Sequence, residues 1–257
     1  MGFVLYFIVG HSQKSKSEVT VMQIKTVPIS RGLDWITEGF GLFRLNPLIW
    51  IVMLIIFLAI VMLLALIPFI GTIATMLLQP VLIGGMLLGC RSLEQGQELR
   101  IDHLFVGFRQ NTNALVMVGL ISGAGYLLVG LVILLVVGGG LGLSALGGYN
   151  DLPALAMGGA MFAYIFSGLI GLALTVPIAM ASWFAPALVV FDNMQAWDAM
   201  KTSFAACLSN MLPFLLYGII ALVLTVLAMI PFGLGLLVLG PVLIASVYTG
   251  YRDISND

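Results

Sequence analysis

Few residues of this chain have the types and spacing that chemistry needs. Proton transfer and nucleophilic attack require carboxylates, histidines or activated hydroxyls held close together. A lipid-modifying enzyme would have to bring together the residues that flank the apolar runs, namely Asp34, Glu38, His103, Asp192 and Asp198. The histidines, His11 and His103, are far apart and lack metal-ligand spacing, as do Cys90 and Cys207. We therefore expect no catalytic centre, cofactor or metal.

The elements that would position these groups are membrane helices. Hydrophobic residues make up 61% of the 257 residues and charged residues 8%, against roughly 25% charged in a soluble domain. Uncharged runs cover 45–90, 110–150, 152–191 and 202–251. Because a crossing needs about 20 apolar residues, these runs predict six spans, near 48–67, 71–90, 115–137, 165–188, 212–231 and 234–251.

The spans are predicted to be helices. A barrel strand alternates apolar and polar residues, whereas runs such as IVMLIIFLAIVMLLALI are apolar on every side. None of the six spans contains an ionisable Asp, Glu, Lys, Arg or His. Because proton relays and intramembrane catalysis depend on such residues, the sequence argues against a proton-coupled pump and against an intramembrane hydrolase.

The basic residues indicate the orientation. All ten fall on one side of the six-span arrangement, and they are Lys14, Lys16, Lys25, Arg31, Arg44, Arg91, Arg100, Arg109, Lys201 and Arg252. The positive-inside rule makes that side cytoplasmic, so both termini are expected there. The net charge of −1 gives no reason to expect a nucleic-acid partner.

The sequence predicts that residues 1–21 are separate from the membrane domain at 22–257. Their apolar stretch of about eight residues is too short to cross a bilayer and is followed by no small-residue cleavage site. We interpret 1–21 as a flexible cytoplasmic extension, and Met22 is an alternative start.

Self-similarity divides the membrane domain into three repeats, at about 33–95, 98–195 and 197–253. Each begins with a short amphipathic stretch that carries a phenylalanine at Phe40, Phe105 or Phe204. An asparagine follows each phenylalanine by six positions, at Asn46, Asn111 and Asn210, and we expect it to cap the next span or to break the preceding helix.

Each repeat closes with a span that carries a proline: Pro80, Pro177 or Pro241. Repeats one and three agree closely, with PVLIGGMLLGCR matching PVLIASVYTGYR and IPF occurring in both turns. The middle copy is looser because about 32 extra residues separate its Asn from its Pro. Two spans per unit make the repeats parallel, related by an axis along the membrane normal.

Two groups of residues are candidates for function. The prolines, with Gln79 beside Pro80, either line a polar path or are simple packing kinks. The interfacial group could contact lipid head groups or dock a partner, and it comprises Trp35, Phe40, Phe43, Arg44, Arg91, Phe105, Phe108, Arg109, Phe204 and Arg252.

The stretches MQIKTVP, GLFRLNP, HLFVGFRQN, SWFAPALVVFD and PFGLGLLVLGPVLIASVYTGYRDI resemble a family of uncharacterised bacterial inner-membrane proteins named after a locus tag. The resemblance covers residues 22 to about 254 and implies a bacterial cytoplasmic membrane. A fainter resemblance links the helix pairs to the membrane domain of some glycerophosphodiester phosphodiesterases, whose catalytic domain this sequence lacks.

The sequence therefore predicts an all-α protein of three helix-hairpin repeats, each preceded by a short interfacial helix. We expect a non-catalytic scaffold or accessory subunit whose partners are the bilayer and another membrane protein or a second copy. The alternatives are a carrier or channel for a lipid or small neutral solute and, further off, a lipid-modifying enzyme.

Overall fold

The structure is a computed structural model that describes residues 24–146 and 153–255. Within these ranges the α-helix is the only regular secondary structure. The ten helices are α1 (Arg31–Leu45), α2 (Pro47–Ala65), α3 (Ile70–Glu94), α4 (His103–Val106), α5 (Thr112–Leu146), α6 (Pro153–Trp183), α7 (Ala185–Asp192), α8 (Ala196–Ser209), α9 (Met211–Met229) and α10 (Leu236–Ile254). The predicted extension 1–21 lies outside the described residues.

Five segments of the described chain are long and apolar enough to cross a membrane. They are Pro47–Ala65, Ile70–Glu94, Thr112–Gly139, Tyr164–Asp192 and Met211–Met229. The all-helical membrane prediction is thus confirmed, and five of the six expected spans fall on these segments. The expected span at 234–251 falls on α10, which is not among the five because its last two turns are polar (Thr249-Gly250-Tyr251-Arg252-Asp253).

Helix starts and turns follow local chemistry. Pro47 opens α2, where its missing N–H costs nothing because the first N–H groups of a helix have no intrahelical partner. The two matching IPF turns place Phe69 and Phe232 at φ of 59° and 53°, a left-handed conformation that is rare for such side chains. Gly71 lets α3 turn back beside the carbonyl of Leu64, where any side chain would overlap.

The core lies in one half of the molecule. Half of the most apolar stretch of Ile70–Glu94 is buried, whereas only 11–17% of the corresponding stretches in the other four segments is buried. The buried side chains concentrate in α1, α7, α8, the C-terminal half of α3 and most of α10. The opposite halves of α2, α5, α6 and α9 expose large apolar residues, as expected where a bilayer is the solvent.

Hydrogen bonds and ion pairs gather helix ends at the packed half, which we call the charged end. Arg252 of α10 pairs with Glu94 at the end of α3, and Tyr251 donates to Asp192 at the end of α7. Asn111, just before α5, donates to Asn193, just after α7. These contacts bring the ends of α3, α7 and α10 together with the start of α5.

Candidate functional site

A charged hub around Arg31 joins the two ends of the described chain. Its guanidinium lies 2.6 Å from Asp253, 3.0 Å from Glu38 and 3.3 Å from Asp34. Asp253 also accepts a 2.9 Å hydrogen bond from the indole N–H of Trp35. The hydrogen bond to Asp253 is the main cause that raises the pKa of Arg31, whose guanidinium is charged at any physiological pH. Its geometry suits cross-linking of helices more than proton transfer.

The network continues from the hub to α3 and α7. Arg252 pairs with Glu38 at 3.2 Å and also with Glu94, which accepts a further hydrogen bond from the hydroxyl of Tyr248. Tyr251 donates a 2.7 Å hydrogen bond to Asp192. The carboxylates are therefore engaged by arginine or tyrosine donors, and hydrogen bonds to charged groups are short and hold the side chains in place.

A small aromatic pocket of about 220 Å³ adjoins this network. The Phe191 ring stacks on Tyr251 at 5.2 Å and meets Tyr248 at 5.6 Å. Arg91 lies 5.4 Å above the same Phe191 ring. Because Arg91 sits in the last turn of α3, where helix carbonyls concentrate negative partial charge, its cation is favourably placed without any ligand.

Of the five residues that a lipid-modifying enzyme would need, Asp34, Glu38 and Asp192 belong to this network, whereas Asp198 and His103 have other partners. Asp34 and Glu38 pair with Arg31, and Asp198 pairs with Lys201 on its own helix at 2.9 Å. His103 lies 3.2 Å from the hydroxyl of Ser92, and its other ring nitrogen lies 3.0 Å from backbone atoms of Arg100. In the described part of the chain no three His, Cys, Asp or Glu side chains could hold a metal ion together.

Trp35 and Phe43, which the sequence assigned to the membrane interface, are buried in the protein instead. They are 1% and 6% exposed, and the Trp35 ring lies 5.2 Å from that of Phe214 on α9. The reason is that Gly32 and Gly39 bring α1 against the backbones of α9 and α10, so its apolar stripe faces protein. Apolar spacing alone does not distinguish these two environments.

The repeated phenylalanines face outward. Phe40, Phe105 and Phe204 are 44%, 40% and 36% exposed, and Phe108 is 42% exposed. The Arg44 guanidinium lies 5.9 Å from the Phe40 ring centre. Arg44 and Arg109 are exposed, and Arg252 lies half-buried in the charged network.

The three prolines occupy unlike environments. Pro241 is buried, Pro80 is half-buried, and Pro177 is exposed, as is Gln79. The helix is closely packed beside Pro80, because a side chain at Gly119 on α5 would overlap the carbonyl oxygen of Met76, which the proline leaves without its usual N–H partner. This close fit is typical of a packing kink.

The sequence does not reveal the role of Asn111 and Asn210, two of the three repeated asparagines. Asn46 and Asn210 make no side-chain capping bond, so the capping alternative is wrong for both. Asn210 instead bonds Val27 N–H, Lys25 C=O and Ala206 C=O, and Asn111 donates to the Val189 carbonyl at 2.8 Å. Their recurrence at one position was the available signal, but spacing does not reveal partners distant in sequence.

Comparison with known proteins gives one informative relative. The chain is 30% identical over 209 residues to the probable inner membrane protein BTH_II0599 of Burkholderia thailandensis. The alignment covers 77% of this chain and 75% of that protein. No protein-family model matches the chain. No solved structure matches it either.

Proposed function

The chain belongs to the family of the probable inner membrane protein BTH_II0599, and on that premise we propose that it is a non-catalytic scaffold or accessory subunit. Its partner would be another membrane protein, bound within the bilayer. The observation that carries this proposal is an open seam between α6 and α9, at a position where the corresponding helices elsewhere in the molecule are packed.

We propose that the three repeats form a closed cycle of six crossings, and the seam is the place where this cycle is open. In support, each short helix packs on the second span of the preceding copy: α1 on α10, α4 on α3 and α8 on α6. In each case the residue that precedes the repeated phenylalanine contacts that second span. A side chain at Gly39 would meet Ser246 N at 2.8 Å, Leu104 lies against Gly85, and the Ser203 hydroxyl bonds Met180 C=O at 2.7 Å.

In the same cycle, the first span of each repeat should contact the second span of the preceding repeat. The position eight residues after the repeated asparagine is Leu54, Gly119 or Gly218. The Leu54 side chain lies 2.9 Å from the point where a Cβ on Gly240 of α10 would lie, and Gly119 lies against Met76 of α3. At Gly218 no described atom comes within 4 Å of that point. One of three equivalent helix contacts is therefore open.

The seam is closed near the charged end and open further out. The Trp183 ring at the end of α6 lies 6.2 Å and 5.7 Å from the rings of Phe214 and Tyr217 on α9. One turn beyond Phe214, on the same face of α9, lies the exposed Gly218, and one turn further lies Ala221, which is half-buried and packs partly against the core. Because small residues favour close helix approach in membranes, this face suits a transmembrane helix of a partner.

Two further observations favour a scaffold over the alternatives. An enzyme needs its acids and histidine together, but Asp34, His103 and Asp198 belong to different networks. A carrier with a path lined by kinked helices needs its prolines in a common environment, whereas Pro177 is exposed and Pro241 is buried.

We also propose that the charged end faces the cytoplasm and that α10 is the sixth crossing. The basic residues at that end support this orientation. Fusions of a cytoplasm-active fluorescent protein after Ile254 and of a periplasm-active phosphatase after Ile230 test it. Activity of both reporters is expected. An inactive fluorescent protein after Ile254 together with an inactive phosphatase after Ile230 would reverse the orientation.

Native mass spectrometry of the full chain, extracted from its own membrane in a mild detergent, tests the scaffold role. We expect a stoichiometric foreign protein on the wild type and its loss from Gly218→Leu, which fills the seam. Gly130→Leu is the matched control, since it also lies in open space but on α5, and it should retain the partner. A bare chain, or equal retention by both variants, would overturn the proposal.

A further inference from the structure

Two arginines occupy the same place in the first two repeats. Arg44 and Arg109 each stand two residues before the repeated asparagine, in the sequences FRLN and FRQN. Each therefore directly precedes a long apolar helix, α2 or α5. This is the level at which a chain passes from the interface into hydrocarbon.

Neither arginine has an acidic partner in the part of the chain that the structure describes. Among the described residues, no carboxylate forms an ion pair with Arg44 or Arg109, whereas Arg31, Arg100 and Arg252 all have acidic partners. Both are exposed. Two positive charges are thus presented outward beside the membrane-spanning surface.

Exposed aromatic rings accompany both arginines. The Arg44 guanidinium lies 5.9 Å from the centre of the Phe40 ring, which is 44% exposed. Arg109 follows Phe108 directly, and the Phe108 ring lies 6.4 Å from that of Phe105. Apolar rings beside a cation match the boundary of an anionic bilayer, where rings enter the acyl region and the cation meets phosphate.

We propose that Arg44 and Arg109 each bind the phosphate of an anionic phospholipid at the start of α2 and α5. The planar guanidinium can form two parallel hydrogen bonds to phosphate oxygens, and the neighbouring phenylalanines hold the upper part of the acyl chains. The occupant is lipid because the charge is complementary to an anionic leaflet. This inference rests on membrane insertion and not on the protein partner proposed above.

The third repeat provides an internal contrast. Its corresponding position is Leu208, which is 52% exposed and cannot bind phosphate. The neighbouring cation, Lys201, pairs with Asp198 at 2.9 Å. At this position, therefore, two repeats carry the charge and the third lacks it.

Titration of the delipidated full chain with phosphatidylglycerol or phosphatidylcholine, read as bound-lipid adducts in native mass spectra, tests this assignment. We expect two tightly held phosphatidylglycerol molecules and no preference for phosphatidylcholine. Arg44→Gln and Arg109→Gln should each weaken one site about fivefold, the factor that about 1 kcal/mol per cation at an anionic surface gives.

Two variants make the result specific. Arg100→Gln removes an exposed cation that is paired with Asp102 and should leave binding unchanged. Leu208→Arg should add a third phosphatidylglycerol. Equal retention of the two lipids, or equal loss with Arg44→Gln and Arg100→Gln, would overturn the proposal whether or not a protein partner is found.

Discussion

The side-chain oxygen of Asn210 accepts a 2.9 Å hydrogen bond from the backbone N–H of Val27, 183 positions earlier in the chain. The same side chain donates to the carbonyls of Lys25 and Ala206 at 3.1 and 3.0 Å. Because Lys25 N–H also bonds the carbonyl of Ile254, one buried amide fastens the segment before α1 across the start of α9 and the end of α10.

Asn210→Ala should therefore loosen the N-terminal segment. Removing three hydrogen bonds from a site that is 1% exposed leaves buried backbone groups unpaired and should cost about 1–3 kcal/mol. Thermal unfolding in detergent and limited proteolysis before residue 30 would measure the effect. Asn46→Ala is the matched control, because Asn46 makes no side-chain capping bond. An equal effect of the two substitutions would contradict this role for Asn210.

Gly119→Val should disrupt the contact between α3 and α5. A side chain at Gly119 would overlap the carbonyl of Met76 and come within 3.0 Å of the Leu77 Cα, and overpacking of this kind costs about 1–3 kcal/mol. The measurement is the melting temperature in detergent. Gly130→Val, on the same helix but in open space, should melt like the wild type. Equal melting of both variants would argue against close packing at the Pro80 kink.

Arg31→Gln should destabilise the charged end. It removes a charged donor from Asp253, whose side chain is 16% exposed, and such hydrogen bonds contribute about 1.5–3 kcal/mol. Lys201→Gln breaks a pair that is 58% and 49% exposed and should cost less than about 1 kcal/mol. Unfolding of both variants in detergent would test the ranking, and the reverse order would show that Arg31 is not the hub.

Cys207 should resist alkylation in the folded protein. Burial raises its pKa from an ordinary value of 9.0 to about 12, and the reactive form is the thiolate. N-ethylmaleimide at pH 7.5 should leave Cys207 and the buried Cys90 unmodified until SDS is added, while Thr37→Cys, at an exposed position, is labelled at once. Rapid native labelling of Cys207 would contradict its burial.

The same shift sets a direction for stability against pH. The folded-state pKa of Cys207 lies above its ordinary value, so the thiol of the unfolded chain ionises first. The stabilisation from the protonated thiol is therefore complete below about pH 9 and declines as the pH rises toward 12. The Cys207→Ala variant should show a weaker loss of stability over that window in detergent unfolding, and an unchanged loss would assign it to other groups.

Much of the helical arrangement could be predicted because hydropathy acts locally. The residues of α2 and α9 are apolar on all sides, and their positions follow directly from that pattern. The expected crossing on α10 stays a prediction because its polar last turns, including Arg252 and Asp253, lower its apolar character. Trp35 was misplaced because an apolar stripe has the same spacing whether it faces lipid or protein.

The charged network could not be predicted from the sequence. Arg31 and Asp253 lie 222 positions apart, and no local pattern pairs them. Asn111 and Asn210 recur at matching positions of the sequence, yet their partners at Val189 and Val27 come from other parts of the chain. Contacts between distant segments depend on how the helices pack, which spacing within one segment does not specify.

Photo-crosslinking along α9 in the native membrane tests the central claim most directly. A photoreactive phenylalanine analogue at the half-buried Ala221 lies on the same side of α9 as Phe214, two turns beyond it. One at Val223 points to the opposite side of the same helix. A scaffold that docks a partner helix in the seam should give a discrete protein adduct at 221 and lipid alone at 223. Lipid alone at both positions, or the same protein adduct at both, would contradict it.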